Sequence, residues 1–210
     1  GSIIFVVEDI MPFTLRSSPS SPFVRKVNVA AAVLGISDQI TLEVAVTKNL
    51  EPSLLSQNPL GKIPALVLED GRVLYDSRVI MDYLNTVAGG SIIPEDTDEK
   101  FNALTLAALA DGIMEAALLV VYEGRYRPDQ KPYAPWLDMQ REKIRRGLTS
   151  LETALPSVDP VTVGTIGLGC ALEYIDFRGQ FDWRDDYPNL LGWLGEFSAA
   201  VPVFKDSSPA

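Results

Sequence analysis

The period of apolar positions changes partway along the chain and divides it in two. Pro12 to Arg16 reads as a short strand. Ser21 and Pro22 open a helix to Leu34, with Val24, Val27, Ala31 and Leu34 on one face and Gly35 as a left-handed stop. Ile40-Thr41-Leu42-Glu43-Val44-Ala45-Val46 alternates and predicts a half-buried second strand. Such a strand–helix–strand unit should be parallel and right-handed. Leu50 to Asn58 predicts a helical turn. Ala65 to Leu68 and Val73 to Tyr75 flank Glu69-Asp70-Gly71-Arg72, a hairpin signal. Asp76-Ser77 starts a helix with Val79, Ile80, Tyr83, Leu84 and Val87 as its apolar face, ended by Gly89-Gly90.

Ser91 to Glu99 reads as a linker, and no strand pattern follows it. Helical patterns run over Phe101 to Glu123, Pro135 to Leu155, from a Thr162 cap to Phe177, and over Pro188 to Ala200. Ile144, Leu148, Leu151 and Leu155 form the second one's face; Leu190, Leu194 and Phe197 form the last one's. The expected organisation is an α/β N-terminal domain over residues 11–88, a linker over 89–98 and an all-helical domain over 99–210. Ser21 carries two readings. It is an N-cap, or a hydroxyl beside free backbone N–H groups and the positive helix end, where an anion is held.

Composition narrows the chemistry. An apolar content of 47% in 210 residues supports a substantial core. A net charge of −10 argues against nucleic acid and anionic membrane as partners. No apolar run in the sequence approaches the roughly 18 residues of a membrane span. The single Cys170 excludes an internal disulfide and fits a reducing cytosol; its apolar helical setting predicts a buried core thiol. Gly1-Ser2 reads as foreign to the natural chain, and Met11 as a candidate start. Histidine is absent, which removes Ser–His and Cys–His triads and histidine metal sites. Gly164, Gly167 and Gly169 lack the order of a dinucleotide fingerprint, and no P-loop is present. A hydroxyl, carboxylates, backbone dipoles and a reactive group brought by a ligand remain.

Three segments in order carry a family resemblance: Ser21-Pro22-Phe23, Asn58-Pro59-Leu60-Gly61-Lys62-Ile63-Pro64-Ala65-Leu66, and Leu74-Tyr75-Asp76-Ser77-Arg78-Val79-Ile80. They resemble the soluble glutathione S-transferases, and the likeness runs from Met11 through the linker to Tyr174-Ile175-Asp176-Phe177-Arg178. With no tyrosine or cysteine at the start of the first helix, the serine-type members fit best. The resemblance implies a thioredoxin-like N-terminal domain, an all-α C-terminal domain and a cytoplasmic homodimer. Its interface would use the Ser77 to Val87 and Phe101 to Glu123 helices. It implies glutathione as co-substrate, no metal, and a small hydrophobic electrophile as second substrate, a detoxification chemistry. A glutathione-dependent isomerase, an ether-cleaving enzyme and a non-catalytic regulatory protein with this fold are the alternatives.

Carried over by residue, Ser21 matches the serine that contacts the glutathione sulfur, or Ser20 under a different gap. Ile63 matches the residue whose backbone pairs with the cysteinyl part, and Pro64 the family's cis-proline. Lys62 matches a basic residue near the glycyl end. Asp76 and Ser77 match the pair that binds the γ-glutamyl group. Phe23, Met114, Leu118 and Tyr122 are candidates for the second-substrate pocket, although the last three, at spacings of four, also read as core. Two positions depart from the family: Thr165 stands where an acidic residue completes a capping box, and Ala200 where an arginine is common. Both put local stability in question more than function.

The implied chemistry is physically sound. A free thiol with pKa near 8.5 is only about 3% thiolate at neutral pH. A hydrogen bond donated by Ser21 and the partial charge of the helix end would stabilise the anion.

Overall fold

The computed structural model describes residues 12–210; the reading of Met11 as a start lies outside the described residues. The first half runs β1 (Phe13–Ser17), α1 (Pro22–Val33), β2 (Ile40–Val44), α2 (Pro52–Gln57), β3 (Ala65–Val67), β4 (Val73–Leu74) and α3 (Ser77–Ala88). The sheet order is β2-β1-β3-β4. β1 pairs parallel with β2 and antiparallel with β3, and β3 pairs antiparallel with β4. This is a thioredoxin-like domain with a small mixed sheet.

Two apolar faces differ from expectation. In β2 only Ile40 is buried; Leu42 and Val44 are 54% and 62% exposed. β2 is an edge strand, so the face that alternation assigns to the core has little above it. In α3 the buried positions include Ile80, Met81, Leu84 and Asn85, while Val79 and Val87 are exposed. The stripe that meets the domain core is narrower than the apolar sequence pattern and takes in a polar residue.

That polar residue shapes the connection to the second half. Asn85 Oδ1 accepts the Ile92 N–H, and the Ile92 carbonyl accepts the Val163 N–H. The connection is therefore fastened to both halves. It is also shorter than expected. Helix α4 (Thr97–Tyr126) begins where Asp96 accepts the Glu99 N–H, putting Asp98 and Glu99 in its first turn. By length and composition α4 could cross a bilayer, against the reading of the sequence. Here its buried positions, among them Ala110, Ile113, Met114 and Ala117, pack within the helical bundle against α5 and α6.

The remaining helices are α5 (Ala134–Thr153), α6 (Val163–Arg178), α7 (Pro188–Ala200) and the short α8 (Val203–Asp206), which the apolar pattern did not announce. Leu155, expected on the α5 face, lies past the helix end and is exposed. Helix α6 is the bundle's axis, buried without a break from Val163 to Leu172. Gly164 lets α4 approach: a Cβ there would lie 2.7 Å from the Ala103 carbonyl oxygen. Thr165 corrects the stability concern, because it completes the capping box without an acid. Its Oγ1 accepts the Thr162 N–H at 3.0 Å, while Thr162 Oγ1 accepts the Gly164 and Thr165 N–H groups.

Helix α1 joins the halves through buried charges. Lys26 Nζ lies 2.6 Å from Asp111 Oδ1 on α4. Arg25 pairs with Glu173 on α6, donates to the Phe204 carbonyl, and stacks over the Phe204 ring. Buried ions require such partners.

Candidate active site

The sheet topology gathers three loops at one end. β1 ends at Ser17, and its Arg16 pairs with Ala65, the first residue of β3. β4 runs antiparallel to β3, so its last residue, Leu74, lies toward that same end. The Ser18–Ser21 loop, the Ile63–Pro64 step and the Asp76–Ser77 start of α3 thus share one rim. Separate motifs in the sequence become neighbours through strand order alone.

Ser21 is the N-cap of α1, with Pro22 at the first helical position. Its Oγ accepts the Val24 N–H at 3.3 Å. A hydroxyl has one proton and two lone pairs, so capping leaves the proton available to a ligand. The two readings of Ser21 are therefore compatible. Ser20 differs: its Oγ sits 3.2 Å from Ser18 Oγ, a side-chain partner within its own loop.

The Ile63–Pro64 peptide is cis, as the resemblance implied. The loop before it is built by Asn58, a residue that the motif contains but whose role the sequence did not disclose. Buried Asn58 donates to the Lys62 carbonyl and accepts the Leu60 N–H, and its own carbonyl accepts the Gly61 N–H. Gly61 has φ +63°, a left-handed conformation suited to glycine. Lys62 is exposed and Ile63 half-buried.

Asp76 caps α3 by accepting the Arg78 N–H. Its carboxylate also receives Arg78 Nε and Nη2, at 3.2 and 2.8 Å. The Arg78 hydrogen bond is the main cause that holds the Asp76 carboxyl below its ordinary range, and burial opposes it. Lys26 contributes a smaller pull in the same direction. Both partners are more than half exposed, so this pair is weak and a ligand ammonium can replace the guanidinium. Ser77 is buried at the first position of α3.

Of the pocket candidates, Phe23, Leu118 and Tyr122 are half-buried. Met114 is 0% exposed and enclosed in the core, which corrects its assignment. The spacing of four gave no means of separating it from Leu118 and Tyr122. A hollow of about 430 Å³ elsewhere is lined by Glu123, Arg127, Tyr133, Pro135, Trp136 and Met139, not by Ser21. Cys170 is buried as expected, and burial pushes its thiol up to about 12, so it is no nucleophile.

Comparison with known proteins agrees with this geometry. The family profile "Glutathione S-transferase, N-terminal domain" matches residues 20–87, and "Glutathione S-transferase, C-terminal domain" matches residues 134–196. The chain is 36% identical over 183 residues to the uncharacterized GST-like protein YibF of Escherichia coli K12, covering 84% of this chain and 89% of that one. Its fold is similar to a glutathione transferase family member from Pseudomonas fluorescens Pf-5 with bound glutathione: TM-score 0.88, 42% identity, 94% of this chain and 99% of the other. A structure from the same organism with bound S-(propanoic acid)-glutathione aligns at TM-score 0.82 and 42% identity, covering 94% and 100%.

Proposed function

The chain belongs to the glutathione S-transferase family, and we propose that it joins the thiol of glutathione to small electrophiles through a thiolate held by Ser21. The observation that carries this reading is the Ser21 hydroxyl, whose oxygen accepts the Val24 N–H and whose proton has no acceptor among the described residues. Glutathione bound in the similar Pseudomonas fluorescens protein supports the choice of thiol.

In this reading the glutathione thiol releases its proton to solvent. Ser21 donates to the sulfur anion, and the positive end of α1 adds to the attraction. Each unit of lowered thiol pKa is about 1.4 kcal/mol. Asp76 takes the γ-glutamyl ammonium, displacing Arg78, and Ser77 the γ-glutamyl carboxylate. The Ile63 backbone pairs with the cysteinyl part, and Lys62 faces the glycyl end. Phe23, Leu118 and Tyr122 hold the electrophile beside the sulfur. The carbon–sulfur bond forms as the electrophile's leaving group departs, or as a double bond is saturated. Serine needs no general base for this, and so the absence of histidine is no obstacle.

The test is Ser21→Ala against Ser20→Ala. Losing a hydrogen bond to an anion costs about 1.5–3 kcal/mol, or roughly ten- to a hundredfold in rate. Glutathione should still bind, since the tripeptide is held elsewhere, and the spectroscopic pKa of the bound thiol should rise. Loss of activity in Ser20→Ala with retention in Ser21→Ala would assign the sulfur contact to Ser20.

A further inference from the structure

Helix directions bring a second set of polar groups to the Ser21 rim. The C-terminal end of α1 meets the start of α6: Leu34 touches Gly90, and nearby Ile92 bonds Val163. Near its N-terminal end, α1 bonds the far half of α6, through Arg25 and Glu173. The two helices therefore run antiparallel, and Ser21 faces the C-terminal end of α6. Helix α4 lies beside α6 in the same direction, since Gly164 abuts Ala103, Gly167 abuts Ala110, and Ala117 and Val120 share a crevice with Ile175 and Arg178. Tyr122, Arg125 and Arg178 consequently gather at this end, within about two helical turns of Glu173.

Their chemistry is unusual for this chain. The sequence has 28 acidic residues against 18 basic ones. Buried Arg16 and Arg25 and half-buried Arg141 all have carboxylates within 4 Å. Arg125 and Arg178 are half-buried, yet neither pairs with a carboxylate among the described residues. They face aromatic rings instead. The Arg125 guanidinium lies 5.3 Å from the Tyr122 ring centroid. Arg178 lies 4.9 Å from that of Phe177 and donates through Nε to Tyr174 Oη. The half-buried Tyr122 hydroxyl has no hydrogen-bond partner among the described residues. Burial pushes its pKa up while both arginines pull it down, and it keeps its proton as a donor at neutral pH.

Two partly desolvated guanidinium groups and an unpartnered hydroxyl, gathered at the end of the bundle toward which the Ser21 end of α1 is directed, form a receptor for negative charge. Resting on the transferase reading, we infer that the electrophile bears a carboxylate, which Arg125, Arg178 and the Tyr122 hydroxyl receive. An uncharged apolar substrate would leave these groups without compensation. The pocket is then a selector for acids, with aromatic walls for the substrate's carbon skeleton.

Calorimetry with glutathione, S-propyl-glutathione and S-(propanoic acid)-glutathione tests this. The acid should bind about tenfold or more tightly than the propyl compound, the scale of charge-assisted hydrogen bonds. Arg125→Met/Arg178→Met should remove the preference. Arg125→Met alone should reduce it, and serves if the double variant fails to fold. Equal binding of the two derivatives by the wild type, or a preference that survives the substitutions, overturns the inference. If all three ligands fail to bind, the transferase reading falls and takes this one with it. Glutathione binding without preference removes the carboxylate alone.

Discussion

Removing the Asp111 carboxylate probes what holds the two halves in register beneath the site. Lys26 is 2% and Asp111 7% exposed, with Nζ and Oδ1 2.6 Å apart. At an effective dielectric of about 20, the Coulomb attraction at that distance is roughly 6 kcal/mol. Desolvating both ions returns much of this, so the intact pair adds little net stability. Asp111→Ala removes the attraction but leaves the ammonium buried beside an apolar cavity. The expected cost is about 3–5 kcal/mol, the range for orphaned buried charges. For a chain of this length that lowers the melting temperature by roughly 6–20 °C. Urea unfolding followed by circular dichroism would measure it. Lys26→Met/Asp111→Leu, which removes both charges, should recover most of the loss. A cost below about 1 kcal/mol for Asp111→Ala would refute the argument, as would a double variant no more stable than the single.

Thr165→Val should cost about 1–2 kcal/mol in the same assay, because it leaves the Thr162 N–H unpaired inside the bundle; an unchanged midpoint would show the capping box to be idle. Cys170 gives a pH signature. Its folded pKa of about 12 lies above the ordinary thiol value, so above pH 9 the unfolded chain releases this proton while the folded chain keeps it. Stability should fall with rising pH more steeply than in Cys170→Ala, by up to about 1.4 kcal/mol per unit between pH 9 and 12, and equal slopes would count against it. Exposed Val79 and Val87 on α3 and Phe101 and Leu119 on α4 suit a homodimer through those helices. Sedimentation at micromolar concentration should give twice the chain mass, and a monomer would refute it.

What the sequence disclosed depended on whether the signal was local. The α7 boundaries and the Gly89 stop of α3 followed from caps and periodicity, because both are written within one turn of the chain. Faces were less legible. Alternation placed Leu42 and Val44 in the core, but burial depends on what lies over an edge strand. Val79 and Val87 looked like core for the same reason, while Asn85 did not, although it fastens Ile92. Long-range charge pairs had no signal at all. Lys26 and Asp111 lie 85 positions apart and Arg25 and Glu173 lie 148 apart, so nothing within a local stretch of the chain links either pair.

The site itself shows the same division at the scale of single atoms. A serine before Pro22 predicts a cap, and the sequence sets that role against an anion-holding one as though they competed. The structure separates them by lone pair and proton: Ser21 accepts from Val24 and still has a hydrogen to give. Asp76 follows a similar logic, since capping Arg78 N–H uses one lone pair and leaves the carboxylate's charge for a cation. In both cases the cap fixes the side chain at a helix start before any ligand arrives. On the transferase reading, such prior ordering would lower the entropic cost of holding glutathione at these two helix starts.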